Sequence, residues 1–362
     1  MSIFKIKDLA IEISDRVNDP KQSGYDRFVG LEHYDSGNVK IIRYGDASKM
    51  QSSAKAIQKG DVLIARRNVY LKRAGIVNFD GLTSGDSIVL RAKNEVIRSI
   101  LPFIFNTDRF WKYANKFSDG SMSKRLSPKI LMEYKVDLPD NDEDIIRLSC
   151  LLWSISDTLD SYKEMLKQCD ELVKGQFVEM FGECKQINLS DLSEIIMGQS
   201  PNSKSYNDNS EGIPFFQGKI DFGDKYTNVT KWTTEPNKIV PKNTVLMSVR
   251  APVGPVNIAS VECCLGRGLC GIIANKDITN NIFIYNALKL QEEQIAEMGT
   301  GSTFNAITKN NVYNIKLPHA SIEEYNQFSS LAEHLDKSKF AIKEAIGNLE
   351  RIYKEIVREE LK

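Results

Sequence analysis

Apolar residues follow two kinds of pattern along this chain. In residues 1–139 and 184–318 they form short β-branched runs separated by Gly, Pro and Asn, which predicts strands and turns. Residues 140–183 and 319–362 contain almost none of these breakers, and each stretch predicts one long helix. The predicted order is therefore globule, long helix, globule, long helix.

Both predicted helices carry apolar residues at alternating spacings of three and four, the a/d seam of a coiled coil. The seam positions of the second helix lie 176 residues after those of the first. They are Leu159, Leu166 and Val173 in the first helix, with Tyr162, Cys169 and Met180, and Leu335, Ile342, Leu349 and Ile356 in the second, with Ala345 and Ile352. Two matching seams in one chain predict a packed helix pair. The alternative is two amphipathic helices, each docked on its own globule, but globular helices seldom run so long without Gly or Pro.

Within each globule, strand candidates alternate with helical patches. The strand candidates include "DVLIA", "SIVLR", "TVLMSV" and "GIIAN", whereas "IFIYNALKLQEEQIAEM" has a helical period. This mixture predicts the α+β fold class for both globules.

The two globules are also copies of one unit. The segment "KGDVLIARR" (59–67) is echoed by "KNTVLMSVR" (242–250), and "GSMSKRLSPKILMEYKVDLP" (120–139) by "GSTFNAITKNNVYNIKLP" (301–318). The Gly299–Thr303 stretch, which includes the first three residues of this last segment, resembles a phosphate-binding loop. Its first copy retains only Gly-Ser and Leu-Pro, so we interpret the pair as closing segments that lead to a last strand and then to a helix.

A net charge of zero conceals an uneven distribution. Residues 1–139 carry 24 Lys and Arg against 16 Asp and Glu, whereas residues 140–183 carry 4 against 11. Residues 184–318 carry 13 against 12 and residues 319–362 carry 7 against 9. A basic globule joined to an acidic helix favours a polyanion as the partner of the globule and protein as the partner of the helix, although solvated helix faces are an alternative.

Basic residues of the first globule cluster beside Asn and Tyr. A guanidinium group can hold a phosphate or donate two hydrogen bonds to guanine, and a side-chain amide can form two hydrogen bonds with adenine. The cluster therefore indicates duplex DNA as the partner. No aromatic stacking motif for single strands occurs. The predicted DNA-binding residues of this globule are Arg66, Arg67, Asn68, Lys72, Arg73, Lys124 and Arg125.

The second globule is nearly neutral but contains a long loop rich in polar and aromatic residues, 198–222. For each single residue the alternative role is a solvated loop position or a cap. The predicted DNA-binding set is Gln199, Ser200, Lys204, Tyr206, Gln217, Lys219, Arg250 and Arg267, with Ser302 and Thr303 in the closing segment.

Several other classes of protein find little support. The six cysteines show no C-x-x-C pair and no His at zinc spacing, which predicts reduced thiols and no metal site. No G-x-S-x-G or H-E-x-x-H motif occurs, so no catalytic residue is predicted. No run of eighteen apolar residues and no signal peptide is present, and we expect a cytoplasmic protein with no membrane partner.

The ordered segments resemble one family, the DNA-specificity (S) subunits of type I restriction-modification enzymes. The resemblance is carried by "LSEIIMGQSPNSKSYNDNSEGIPFFQGKIDF", "VPKNTVLMSVRAPVGPVNIA" and the closing segment, with a long helix after each globule. It covers nearly the whole chain. The first globule opens with "IKDLAIEISDRVNDP" and lacks the Gly-x-Ser/Thr-Pro of the second, so the recognition loops of the two copies cannot be matched residue by residue.

The resemblance implies two target-recognition domains that read the halves of a split site in double-stranded DNA. It implies that the two helices form an antiparallel coiled coil that docks two methyltransferase subunits, with restriction subunits as a further partner. S-adenosylmethionine, ATP and Mg would then act on the partners, with no cofactor in this chain, since the chain has no methyltransferase motif and no Walker A sequence.

Three alternatives stay open at this point. The chain could be a nucleotide-binding transferase that uses Gly299–Thr303, although no Lys follows these glycines before Lys309. It could be a coiled-coil scaffold whose globules bind protein. It could also be the specificity subunit of a modification-only system, which has no nuclease partner.

Overall fold

A computed structural model describes residues 2–120, 124–299 and 306–361. The chain divides into two compact units, Met1–Glu164 with Lys343–Lys362, and Met165–Ile342. Each unit therefore contains one globule and parts of both long helices.

The strands are short and occur as two equivalent sets. The first set is β1 (Ser2–Lys5), β2 (Ala10–Ile13), β3 (Arg16–Val17), β4 (Arg27–Val29), β5 (Lys40–Ile41), β6 (Gly45–Asp46), β7 (Ala54–Ile57), β8 (Val62–Ala65), β9 (Ala74–Val77), β10 (Gly81–Thr83), β11 (Ser87–Ala92) and β12 (Lys135–Leu138). The second set is β13 (Gln186–Asn188), β14 (Ser193–Met197), β15 (Tyr206–Asn207), β16 (Ile213–Phe216), β17 (Trp232–Thr233), β18 (Ile239–Val240), β19 (Val245–Ser248), β20 (Val256–Ile258), β21 (Cys263–Leu265), β22 (Leu269–Ala274) and β23 (Lys316–Pro318).

Short helices accompany both sets of strands, and two helices are much longer than the rest. The helices are α1 (Ile6–Leu9), α2 (Glu95–Ile104), α3 (Asp108–Phe117), α4 (Pro128–Met132), α5 (Asp142–Phe181), α6 (Leu189–Leu192), α7 (Asn281–Leu290), α8 (Glu292–Glu297), α9 (Lys309–Tyr313) and α10 (Ile322–Glu360). The fold therefore mixes helices and strands throughout, as the pattern of the sequence predicted.

Two five-stranded sheets build the first globule, in the orders β2-β11-β8-β9-β5 and β3-β7-β10-β4-β6. Successive residues of β8 point to opposite faces. Val62 and Ile64 pack with the helices, whereas Leu63 and Ala65 belong to the apolar layer between the sheets. This strand is buried on both faces, which explains why it appears in the sequence as a continuous apolar run.

The second globule repeats this plan with the orders β14-β22-β19-β20 and β15-β17-β16-β21-β18. Val245 and Met247 of β19 face one core, and Leu246 faces the other. Since β8 pairs with β9 and β11, and β19 pairs with β20 and β22, the segments 59–67 and 242–250 occupy equivalent places. The repeat seen in the sequence is a repeat of structure.

Each closing segment ends in a strand that leads to a long helix. β12 pairs antiparallel with β1, and β23 pairs antiparallel with β13. In each copy a strand before the helix is thus tied to the strand that opens the same globule. The helices predicted over 140–183 and 319–362 are α5 and α10, 40 and 39 residues long.

The predicted seam residues of both helices are half-buried, while most residues between them are exposed. This holds for Leu159, Leu166, Val173, Leu335, Ile342, Leu349 and Ile356. Ile352 differs, because its side chain is 44 % exposed and the neighbouring Tyr353 packs against the first core instead.

All six cysteines are free thiols. Cys263, Cys264 and Cys270 are buried in the second globule. Burial raises the pKa of Cys263 and of Cys270 to about 12, so both remain protonated at neutral pH. They pack as small apolar residues.

Candidate nucleic-acid interface

The two basic clusters predicted for the first globule lie side by side at one edge of its sheet. Leu126 donates its backbone N–H to the carbonyl of Arg66 at 2.8 Å, and Asn68 donates to Lys124 at 3.0 Å. Arg67 and Arg125 form a β-bridge. The closing segment therefore brings residues 124–125 against the end of β8, which the sequence did not predict.

Two arginines at this edge share a carboxylate. Arg67 and Arg125 lie beside Asp86, with N–O distances of 3.5 and 3.4 Å. The guanidinium side chains are 44 % and 50 % exposed, so both cations are accessible to a phosphate.

The loop that joins β8 to β9 has an uncommon backbone. Asn68 and Lys72 adopt left-handed conformations, with φ of 55° and 49°, on either side of a 3-10 turn over Val69–Leu71. Each such non-glycine residue costs about 1 kcal/mol. Val69 is buried beneath the turn, and Tyr70 is 61 % exposed. The loop is held in a fixed shape that presents a tyrosine to solvent, a surface suited to a base or a sugar.

Three predicted residues of this loop region are engaged within the protein. Lys72 pairs with Asp108 at 2.6 Å, and this hydrogen bond, with the charges of Lys72 and other lysines, lowers the pKa of Asp108. Arg73 donates from Nη1 to the carbonyl of Leu31 at 2.9 Å and from Nη2 to that of Arg67 at 3.3 Å. The Lys124 Nζ donates to the carbonyl of Asn115 at 3.2 Å. These contacts fix the loop as well as supplying charge.

Arg66 occupies a different position from Arg67. Its side chain is half-buried, and its charge contributes to lowering the pKa of Lys55, after the larger effect of burial. Arg66 therefore lies toward the sheet rather than in the exposed cluster.

In the second globule, most of the predicted residues meet at the start of β22. Arg267 donates its backbone N–H to Ser200 Oγ at 3.1 Å, and Gln199 donates to the carbonyl of Leu265 at 2.9 Å. A Cβ on Gly268 would lie 2.4 Å from the carbonyl oxygen of Gln217, so only glycine allows this close approach. Residues distant in sequence thus form one surface.

Arg250 joins this surface through the pairing of β19 with β22. Val249 donates to the carbonyl of Gly268 at 2.9 Å, so Arg250 follows directly beside Arg267. Arg250 also forms a β-bridge with Ala306. This bridge is the counterpart of the one between Arg67 and Arg125, so both globules place an arginine at this point, while Ala306 stands where the first globule has Arg125.

The turn after β16 carries two more predicted residues, Gln217 and Lys219. Asp221 is 3 % exposed, and its Oδ2 accepts hydrogen bonds from the backbone N–H groups of Gln217 and Gly218 at 2.6 and 3.2 Å. Burial raises the pKa of Asp221 despite these bonds. The turn holds Ile220 at 88 % exposure.

Two predicted residues have local roles. Tyr206 donates its hydroxyl to the carbonyl of Pro201 at 3.0 Å, and its ring packs 4.7 Å from that of Phe215. Lys204 is exposed in a 3-10 turn that Asn202 caps. Ser302 and Thr303 lie outside the described residues.

The sequence noted Tyr70 only as a neighbour of arginines and did not single out Ile220. A large apolar residue between polar residues of a predicted loop is the signal that could have found these two exposed side chains.

Within residues 2–120, 124–299 and 306–361, no group of three or more His, Cys, Asp and Glu side chains is placed to hold a metal ion. No helix in the same part of the chain combines the length and hydropathy needed to cross a bilayer.

Known proteins resemble this chain in amino-acid sequence. The model of the type I restriction modification DNA specificity domain matches residues 182–351. The type I restriction enzyme MjaX specificity subunit of Methanocaldococcus jannaschii is 30 % identical over 330 residues, which cover 83 % of this chain and 76 % of that protein.

Solved structures agree with this comparison. A chain from a study of complex assembly and conformational transition of a type I R-M system is 26 % identical, with a TM-score of 0.60 over 99 % of this chain and 97 % of that one. The S subunit of a type I system from M. genitalium shares the fold, with a TM-score of 0.67 at 12 % identity over 100 % of this chain and 96 % of that one. This chain belongs to the family of type I restriction enzyme specificity subunits, the non-catalytic DNA-recognition subunits of type I restriction-modification systems.

Proposed function

We propose that this chain reads a two-part sequence in duplex DNA. Residues 1–139 and 184–318 act as target-recognition domains, each of which binds one half of the site. Residues 140–183 and 319–362 act as the spacer helices between them. The family acts with modification and restriction subunits on DNA, and this chain provides the DNA sequence specificity for those subunits.

One observation carries the proposal, namely that both globules place an arginine at the same point of the fold. In each globule the closing segment forms a β-bridge with an arginine at the end of an equivalent strand, Arg67 or Arg250. A second arginine belongs to each edge at a different position, Arg125 in the first closing segment and Arg267 in the loop before β22. Cations at such an edge hold phosphates and orient the loops that read base edges.

We propose that α5 and α10 pair as an antiparallel coiled coil. The contacts within the second unit support this arrangement, because residues of increasing number along α5 contact residues of decreasing number along α10. Asp170 pairs with Lys339 at 2.5 Å, Phe177 packs 5.5 Å from Phe328, and Phe181 packs 5.9 Å from Tyr325.

Contacts within the first unit support the same direction. Tyr353 and Ile356, near the end of α10, pack against a core that contains Leu148 and Leu152 from the start of α5. The half-buried seam residues of both helices fit this pairing.

A helix of 40 residues is about 60 Å long, which suits a ruler that sets the unread gap between two half-sites. We propose that the duplicated plan matches two methyltransferase subunits. Restriction subunits join in systems that cleave. S-adenosylmethionine, ATP and Mg bind to these partner subunits, and the complex acts in the cytoplasm.

The experiment that tests the proposal is a methylome of the host with and without this chain. A two-part methylated motif should disappear on deletion and return when the chain is restored. Replacement of residues 184–318 by the corresponding domain of a relative should change one half of the motif and leave the other half and the gap unchanged. A motif that is unaffected by deletion, or that changes in both halves, would overturn the proposal.

A further inference from the structure

A pair of equivalent turns lies beside the two basic edges. In the second globule β16 runs parallel to β21 and leads to a 3-10 turn over Lys219–Asp221. In the first globule β4 runs parallel to β10 and leads to a 3-10 turn over Leu31–His33. β10 and β21 each have one parallel and one antiparallel neighbour and directly precede the equivalent strands β11 and β22, so the two turns are counterparts.

Both turns are closed in the same way by different side chains. The Nδ1 atom of His33 accepts the backbone N–H of Gly30 at 2.9 Å, just as the carboxylate of Asp221 accepts those of Gln217 and Gly218. The third turn residue therefore bonds back to the end of the strand in both copies, and the residue before it lies at the tip. In the first copy this residue is Glu32, and its Oε1 also lies 3.9 Å from His33 Nε2.

The tip residues differ in chemistry although the turns do not differ in plan. Ile220 is 88 % exposed, and the side chain of Glu32 is 68 % exposed. Single exposed apolar residues are common on protein surfaces, so the exposure of Ile220 alone indicates nothing. A residue that recognises a base must be exposed, and it can differ between two turns that share the same backbone hydrogen bonding.

Each turn is attached to the basic edge of its own globule. Gly266 donates to the carbonyl of Phe216 at 2.8 Å, immediately before the Ile220 turn, and Arg267 follows Gly266. In the first globule Arg73 donates to the carbonyl of Leu31, the residue before Glu32, at 2.9 Å. A duplex held by the cations of such an edge would therefore pass beside the turn of the same globule.

We infer that Ile220 and Glu32 are specificity-determining residues, each reading one base pair of its half-site in the major groove. An apolar side chain contacts the C5-methyl group of thymine, and a carboxylate accepts a hydrogen bond from the N4 amino group of cytosine. Ile220 therefore reads a T·A pair and Glu32 a C·G pair. This inference rests on the proposed function, because it requires that the globules bind duplex DNA.

The test uses the complex of the full chain with its methyltransferase subunits and duplexes that carry the methylome motif. Each thymine in the half-site read by residues 184–318, on either strand, is replaced in turn by deoxyuridine, which lacks only the methyl group. One replacement should weaken binding by about fourfold, the effect of burying one methyl group. Ile220→Ala should weaken binding to the thymine duplex by a similar factor and should no longer respond to that deoxyuridine.

Ile278→Ala is the matched control, since Ile278 is 39 % exposed and lies beyond the other end of β22. This variant should bind both duplexes as the unaltered chain does. In the other half-site, Glu32→Gln should relax the preference for cytosine at one position and leave the half-site of the second globule unchanged.

The outcomes separate the inference from the proposed function. If the unaltered complex binds no specific sequence, the proposed function fails. If it binds its motif but responds to no deoxyuridine in that half-site, or if the half-site contains no thymine, only the inference fails. Equal binding by Ile220→Ala and the unaltered chain would likewise overturn the inference alone.

Discussion

At the scale of single residues, the basic edge of the first globule depends on how one carboxylate is shared. Asp86 lies 3.5 Å from Arg67 and 3.4 Å from Arg125, and its side chain is 28 % exposed. These partly exposed pairs contribute little to stability, since the median surface pair is worth about 0–1 kcal/mol. Their greater effect is on the charge that the edge offers to DNA.

The variant Asp86→Asn should therefore bind DNA of any sequence more tightly and with a steeper salt dependence. If the freed arginines engage one or two phosphates, the slope of log K against log salt should become more negative by about 1–2. Asp277→Asn makes the same charge change at an exposed position beyond the far end of β22 and should leave the slope nearly unchanged. Weaker binding by Asp86→Asn would instead assign the carboxylate to holding the arginines in place.

The sequence predicted which residue types form this edge but not how they are placed. Arg66, Arg67, Lys124 and Arg125 were expected to act in DNA binding, and the fold brings the two pairs together. Arg66 is half-buried, and its charge contributes to lowering the pKa of Lys55, which is distant in sequence and which no local pattern reveals as a neighbour.

At the scale of elements, the ion pair between α5 and α10 joins positions 169 residues apart. Burial alone would lower the pKa of Lys339, but its hydrogen bond with Asp170 and the charges of nearby aspartates outweigh burial and raise it. The pair is therefore charged at neutral pH, and its contribution persists until the pH rises through the pKa of the lysine.

This pair allows a charge exchange that tests the antiparallel register. Asp170→Lys or Lys339→Asp alone should lower the melting temperature of the full chain, because each places like charges together. The double exchange should recover most of that loss, with a coupling of about 0.5–1 kcal/mol. Lys174→Glu, one turn away at an exposed position of α5, is the control and should show no coupling with Lys339→Asp. Additive losses in the double exchange would contradict the pairing.

The long helices were also the elements that the sequence predicted best. Their bounds differ from the prediction by two or three residues at each end, and the residues at the predicted 3-4 spacing are half-buried except for Ile352. The four strand candidates quoted from the sequence are β8, β11, β19 and β22, although a run such as β8 is buried on both faces and lacks a period of two. The turns over Leu31–His33 and Lys219–Asp221 could not be predicted, because the hydrogen bonds from backbone N–H groups to His33 and Asp221 that close them form only on folding.

At the scale of the whole molecule, the repeat explains why one chain can read two half-sites. Each copy of the sheet pair carries an arginine at an equivalent edge, while the loops beside it differ. The loop that presents Tyr70 spans eight residues, 66–73, and the seven residues between β19 and β20, 249–255, contain no tyrosine. The retained sheets account for the common role, and the differing loops account for two unlike half-sites.

The proposed ruler gives a prediction about DNA spacing. Seven residues inserted after Glu164 and seven after Ile342, where the chain divides into its two units, preserve the 3-4 spacing of both seams. They lengthen each helix by about 10 Å, which corresponds to about three base pairs at ~3.4 Å per pair. The methylome motif should keep both half-sites and gain about three unread base pairs.

The control for this experiment is an insertion of two residues at the same two positions. Two residues rotate each seam by about 200° and should abolish methylation, because the apolar faces no longer meet. A heptad variant that methylates the original motif with its original gap would show that the helices do not set the spacing. Altered half-sites in that variant would instead show that the helices take part in base recognition. The proposed division of roles between the globules and the helices would then be wrong.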